Sequence, residues 1–128
     1  ATCGVIDGFR DHDLYALPPI EIRPHGDRIF DFEAKYQGLS DEIVPGNFTD
    51  AQKKELEHMA KQAHQALGHR HYSRSDFMIH PKRGIFILET NTLPGLTEES
   101  LIPKALHSVG ASLAHFLDHI VQLAINKK

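Results

Sequence analysis

The chain has 128 residues, 41% of them hydrophobic and 24% charged, which is enough for one core and too few for two ordinary domains. Lys plus Arg number 14 against 17 Asp plus Glu, so the formal charge is -3 and the pI about 6.4, with no basic stripe to follow nucleic acid. The single cysteine, Cys3, excludes an internal disulfide, and no window has the apolar length of a membrane span or signal peptide; a cytoplasmic setting is expected.

In chain order, Thr2 to Ile6 and Ile20 to Arg23 read as short strands. They are separated by a polar bend over Asp7 to Asp13 and by Leu17-Pro18-Pro19, whose prolines cannot donate to a ladder. Arg28 to Phe32 reads as a third strand, and Gln37 to Phe48, with two glycines, a proline and no periodicity, as a long surface loop. Thr49-Asp50-Ala51-Gln52 has the capping-box spacing and opens a helix to about Leu67. Its stripe is Leu56, Met59, Ala60, Ala63 and Leu67, and Gly68 supplies a left-handed stop.

His71 to Ile79 and Ile85 to Thr92, joined by His80-Pro81-Lys82-Arg83-Gly84, read as a β-hairpin. Thr92-Leu93-Pro94-Gly95-Leu96 then turns out of the sheet, and Thr97 or Glu98 begins a helix to about Ser108, with Gly110 after it. From Ser112 a last helix carries Leu113, Phe116, Leu117, Ile120, Leu123 and Ala124 as a core stripe.

The hairpin is the most informative stretch. Side chains alternate along a strand, so Arg74 and Asp76 share one face and Ser75, Phe77 and Ile79 the other; the same count groups Ile85, Ile87, Glu89 and Asn91. Pairing across the turn brings Asp76 near Glu89, with Asn91 and Arg74 further along. Two carboxylates and an amide oxygen suit a hard cation such as Mg2+. The plainer reading is a solvated polar sheet face with an Arg-Asp pair. The following turn offers free amides and a helix start to an anion, or is an ordinary connection in which Gly95 supplies a positive φ.

Three segments together, Tyr72-Ser73-Arg74-Ser75-Asp76-Phe77, Leu88-Glu89-Thr90-Asn91-Thr92-Leu93-Pro94-Gly95 and Ser100-Leu101-Ile102-Pro103, resemble the C-terminal signature of D-alanine-D-alanine ligases of the ATP-grasp group. Leu17-Pro18-Pro19-Ile20-Glu21-Ile22 and Phe32-Glu33-Ala34-Lys35-Tyr36 are similar to that family in the same order. The resemblance implies an α+β fold, an ATP-grasp C-terminal subdomain with a mainly antiparallel sheet flanked by helices. It covers nearly the whole chain but only about the C-terminal third of a family member. The expectation is that residues 1–128 form one domain, with the N-terminal domain, the phosphate-covering loop and the strand carrying the adenine-binding Lys and Glu lying before Ala1. Alone, the chain is then expected to have little or no ligase activity.

The same resemblance implies ATP-dependent ligation of two D-alanines through an acyl phosphate, for peptidoglycan precursors. Asp76, Glu89 and Asn91 would hold two Mg2+ (or Mn2+) ions. Arg74 and the Gly95 amide would stabilise the transferring phosphoryl group and the tetrahedral intermediate. Lys35 would reach the γ-phosphate, Tyr36 would close its loop over the second substrate, Ser100 and Leu101 would receive that substrate's carboxylate, and Leu88 would line the adenine pocket. The full protein is expected to be a homodimer. Departures from the family pattern are His71 where glycine is common, Ser75 where a branched apolar residue is usual, His80 for an acidic turn residue and Thr90 for valine. Two rivals stand beside this reading. One is a different ATP-grasp carboxylate-amine ligase. The other is a non-catalytic histidine-based metal-binding or interaction module, for which the 10 histidines and the spacing of His115 and His119 are the signal.

Overall fold

The computed structural model describes residues 1–24 and 40–126. The strand expected over Arg28 to Phe32, and Lys35 and Tyr36, lie outside the described residues. The described chain is α+β, as the resemblance implies. Strands β1 (Thr2–Asp7), β2 (Leu14–Ala16), β5 (Tyr72–His80) and β6 (Gly84–Asn91) form an antiparallel sheet in the order β2-β1-β5-β6. Strands β3 (Glu21–Pro24) and β4 (Ser40–Ile43) make a separate two-stranded sheet.

Alternation along β1 divides the core in two. Cys3 and Val5 face helix α1 (Asp50–Ala66) and pack with Leu56, Ala60 and Phe77. Ile6 faces the other way and packs with Phe9, Leu17, Ile20 and the helices α2 (Leu101–Ser108) and α3 (Leu113–Ile125). Burial pushes the Cys3 thiol up, so it behaves as a small core residue and not as a nucleophile. The sheet is thus covered on both faces, except where β6 runs out beyond the helices.

Local signals set the helix ends. The Thr49 hydroxyl accepts the Gln52 N–H at 3.1 Å while the Gln52 side chain accepts the Thr49 N–H at 3.0 Å, a complete capping box. Gly68 closes α1 at φ +66° and Gly110 follows α2 at φ +74°. Ser112 caps α3 by accepting the His115 N–H at 3.0 Å.

Several expectations are corrected. The segment read as a long loop contains β4, which pairs with β3 over Glu21↔Ile43 to Pro24↔Ser40. Strand β2 had no sequence signal because it is three residues long. The bend after β1 is not wholly polar: Phe9 is buried in the core while Arg10 and Asp11 take positive φ. Helix α2 begins at Leu101, not at Thr97 or Glu98, because Ser100 and Thr97 form a turn closed by their hydroxyls at 2.7 Å. Leu67 is exposed because it lies past the end of α1, and Leu117 because it lies beside Phe116 on the side of α3 turned away from the core; Ala124 is exposed too.

His71 sits at φ +70°, where a side chain costs roughly 1–2 kcal/mol and glycine does not. Changing His71 to Gly is expected to leave thermal stability unchanged or higher, whereas His71→Val lowers it by about 1–2 kcal/mol, measured by denaturant unfolding. Replacing Thr49 by Ala removes one half of the cap and is expected to cost about 1 kcal/mol in the same experiment.

Candidate functional site

The hairpin β5–β6 forms the site. Its turn is tighter than the sequence suggested: Gly84 already pairs with His80, leaving Pro81, Lys82 and Arg83 as the loop. That register runs through Ile79↔Ile85, Met78↔Phe86 and Phe77↔Ile87, and then slips, because Asp76 pairs with Glu89. Leu88 is the extra residue of a β-bulge. The expected grouping of Ile85, Ile87, Glu89 and Asn91 on one face is therefore wrong. Ile85 and Ile87 point with Phe77 toward α1, while Glu89 and Asn91 point with Asp76 and Arg74 to the opposite face, because the bulge resets the alternation. The expected neighbours nonetheless meet: Asp76 lies across from Glu89 and Arg74 across from Asn91.

Asp76 and Arg74 are both almost fully buried. The Arg74 Nε donates to Asp76 Oδ1 at 3.2 Å and an Nη donates to Oδ2 at 3.4 Å. The Thr2 hydroxyl donates to the same Oδ1 at 2.7 Å. Thr2 was not expected at the site; it lies 74 residues away in sequence and only the β1–β5 pairing brings it there. Toward the turn the same sheet face becomes apolar, with Met78, Phe86 and the bulge residue Leu88 about half exposed.

Gly95 and Ser100 adjoin where the chain leaves β6 for α2. Gly95 does not take a positive φ, contrary to the plainer expectation. It is glycine because a Cβ would stand 2.8 Å from the Ser100 hydroxyl. Ser100 caps α2 by position without donating or accepting a side-chain cap bond, and both Ser100 and Leu101 are buried.

The four residues read as departures from the expected pattern have local partners or a local backbone setting. The Ser75 hydroxyl donates to Thr90 Oγ1 across the strands at 3.1 Å. The positive φ of His71 explains why glycine suits that position, and Asp7 Oδ2 accepts the His71 N–H at 2.6 Å. His80 caps the turn, its Nδ1 accepting the N–H groups of Lys82 and Arg83, each at 3.0 Å.

Among the described residues no group of three or more His, Cys, Asp or Glu side chains is arranged to hold a metal. His119 instead uses Nε2 to bond the Asp7 carbonyl at 2.7 Å, and His115 lies against the Phe9 ring. A histidine-based metal module therefore loses its support. A cleft of about 630 Å³ opens elsewhere, lined by Glu42, Val44, Lys104, His107 and Leu113; it includes none of the expected site residues. No single helix among the described residues is long and apolar enough to cross a membrane, although α2 and α3, bent by 107°, pass on length and composition as a pair.

The matching family model is described as the D-ala D-ala ligase C-terminus, and it covers residues 1–122. A D-alanine–D-alanine ligase of Desulfotalea psychrophila is 43% identical over 98% of this chain and 39% of its own length. Among solved structures, a D-alanine–D-alanine ligase of Bacillus anthracis, solved with ATP, superposes with a TM-score of 0.75 at 31% identity, over 97% of this chain and 38% of that one. A D-Ala:D-Ser ligase from Enterococcus faecalis superposes at 0.71 with 27% identity, over 95% of this chain and 35% of that one. The chain thus spans about two fifths of the length of the curated relatives it matches. With a family match from the first residue to the last helix, the chain belongs to the D-alanine–D-alanine ligase family, in the region described as its C-terminus.

Proposed function

We propose that this chain supplies the phosphate and acceptor half of an ATP-dependent ligase that joins two D-alanines into D-alanyl-D-alanine for peptidoglycan. In this reading residues 1–128 are the C-terminal part of an ATP-grasp unit. The observation that carries it is the two-part face of the β5–β6 hairpin. Arg74, Asp76, Glu89 and Asn91 occupy one end, and Met78, Phe86 and Leu88 the other. A nucleoside triphosphate has the same division, an aromatic base at one end and concentrated negative charge at the other.

The donor set fits the family's metal. Asp76, Glu89 and Asn91 offer carboxylate and amide oxygens on neighbouring strands, which suits Mg2+ or Mn2+ and disfavours softer ions. Two such ions held there would neutralise the phosphate charge as the γ-phosphoryl group moves.

The residues of the chain do the rest by position. Leu88 lines the adenine side. Arg74, already desolvated beside Asp76, presents fixed positive charge to the transferring phosphoryl group, and such charge counts for more away from water. Lys35 reaches the γ-phosphate, and Tyr36 closes over the second substrate so that water is kept from the acyl phosphate. A carboxylate oxygen of the first D-alanine attacks the γ-phosphorus and ADP leaves. The amine of the second D-alanine, having lost a proton, attacks the acyl carbon. The resulting oxyanion is held by the Gly95 N–H and Arg74, and collapse expels phosphate. Ser100 and Leu101, at the start of α2, take the carboxylate of the second D-alanine, where backbone N–H groups favour negative oxygen. The protein works in the cytoplasm as a homodimer of the full polypeptide, without a nucleic-acid or membrane partner.

Acceptor choice is the part on which family members differ, as the D-Ala:D-Ser ligase relative illustrates. Tyr36→Phe is expected to shift the acceptor preference from D-alanine toward D-lactate; an unchanged ratio of the two products removes Tyr36 from the acceptor site. For the chemistry itself, ADP release by the full natural polypeptide carrying this chain should depend on D-alanine and fall about 100-fold or more in Glu89→Gln. Turnover on another amino acid, with none on D-alanine, would instead favour a different carboxylate-amine ligase. Residues 1–128 alone are expected to release little ADP.

A further inference from the structure

A buried hydrogen-bonded chain on the far face of the sheet from the site joins three elements. His64, in the last turn of α1, is 1% exposed, and both ring nitrogens are engaged. Nδ1 lies 2.7 Å from the Ser73 hydroxyl on β5, and Nε2 lies 2.8 Å from Asp7 Oδ1 at the end of β1. Asp7 as a carboxylate only accepts, so Nε2 carries the hydrogen of that bond, and in the imidazole form Nδ1 accepts the hydroxyl hydrogen of Ser73. The remaining Asp7 oxygen accepts the His71 N–H at 2.6 Å, and the Asp7 N–H donates to the His71 carbonyl at 2.8 Å.

A serine, a histidine and an aspartate in sequence suggest a hydrolytic triad. That reading fails on access: Ser73 is 0% exposed and packed inside the sheet, with no approach for an acyl group. The arrangement is a tie. Its position is informative, because Ser73 immediately precedes Arg74. Arg74 stands opposite Gly4, which has no side chain to restrain it from β1. Two ties therefore fix this part of β5 against β1. The Thr2 to Asp76 bond, 2.7 Å, acts on the site face, and Asp7–His64–Ser73 acts on the α1 face.

We infer that His64 is a positioning residue: through Ser73 and Asp7 it sets the backbone of β5, and so the direction in which Arg74 is presented. The inference rests on the proposed ligase reading for its kinetic consequence. It does not rest on it for the structural one, since the Arg74 guanidinium must respond to the tie whatever the substrate is.

The test uses the full natural polypeptide carrying this chain, with Ser73→Ala and His64→Phe. Three quantities are read: the melting temperature, kcat and KM for D-alanine-dependent ADP release, and the Nε–H signal of Arg74 by NMR. Ser73→Ala is expected to remain folded, to lower kcat about tenfold with KM for ATP close to wild type, and to move the Arg74 signal. His64→Phe leaves Asp7 and Ser73 buried without their partner and should do more of the same; if it does not fold, Ser73→Ala decides alone. An unmoved Arg74 signal and an unchanged kcat in Ser73→Ala, with only a lower melting temperature, overturn the inference. Absence of any D-alanine-dependent turnover in the wild-type protein overturns the ligase reading instead, and the Arg74 signal still decides the tie.

Discussion

A guanidinium and a carboxylate, Arg74 and Asp76, lie out of water in the middle of a sheet, and most of the structure around them follows from making that tolerable. Removing two charges from water costs several kcal/mol each unless geometry and further hydrogen bonds compensate. Here Asp76 takes hydrogens from both Arg74 and the Thr2 hydroxyl. Thr2 is on β1, so the register of β1 against β5 is part of the electrostatic solution. A slip of one residue would turn every side chain of β1 to the other face and leave Asp76 without that hydroxyl.

Close approach and irregularity then arrange what surrounds the pair. A Cβ on Gly4 would stand 2.6 Å from Ile102 Cδ1, so the absence of a side chain there lets α2 settle onto β1. Gly95 does the same for the Ser100 hydroxyl at the start of α2. Together they bring a helix start next to the charged end of the hairpin. On the other strand the bulge at Leu88 changes the alternation, so that isoleucines feed the α1 side of the core while Glu89 and Asn91 face Arg74 and Asp76. Without it Glu89 and Asn91 would share the face of Ile85 and Ile87 and turn away from Arg74 and Asp76.

Polar side chains also tie the frame together. Ser75 and Thr90 bond to each other, His80 caps its own turn, and Asp7 gathers His64, His71 and His119. Each polar residue brought indoors has a partner; among the described residues no buried side-chain nitrogen or oxygen lacks one. Of these histidines, His64 joins elements through both ring nitrogens, His119 and His80 use one each, and His71 contributes its backbone N–H.

What the sequence determined by itself was short in range. The capping box at Thr49, the glycine stops at Gly68 and Gly110, and the hairpin that brings Asp76 near Glu89 all depend on residues close in the chain, where propensity and periodicity act directly, while the exact pairing waits on the bulge. The motif resemblance added the family. Tertiary structure decided the rest. Strand β2 exists because the longer β1 offers it an edge, β4 because β3 pairs with it, and α2 starts late because Thr97 and Ser100 bond each other. Neither the bulge at Leu88 nor the recruitment of Thr2 and His64 has a local signature, since each answers to atoms up to 74 residues away. His64 carries no local sign of burial. Two hydrogen-bond partners, one on each neighbouring strand, made the interior the better place for it.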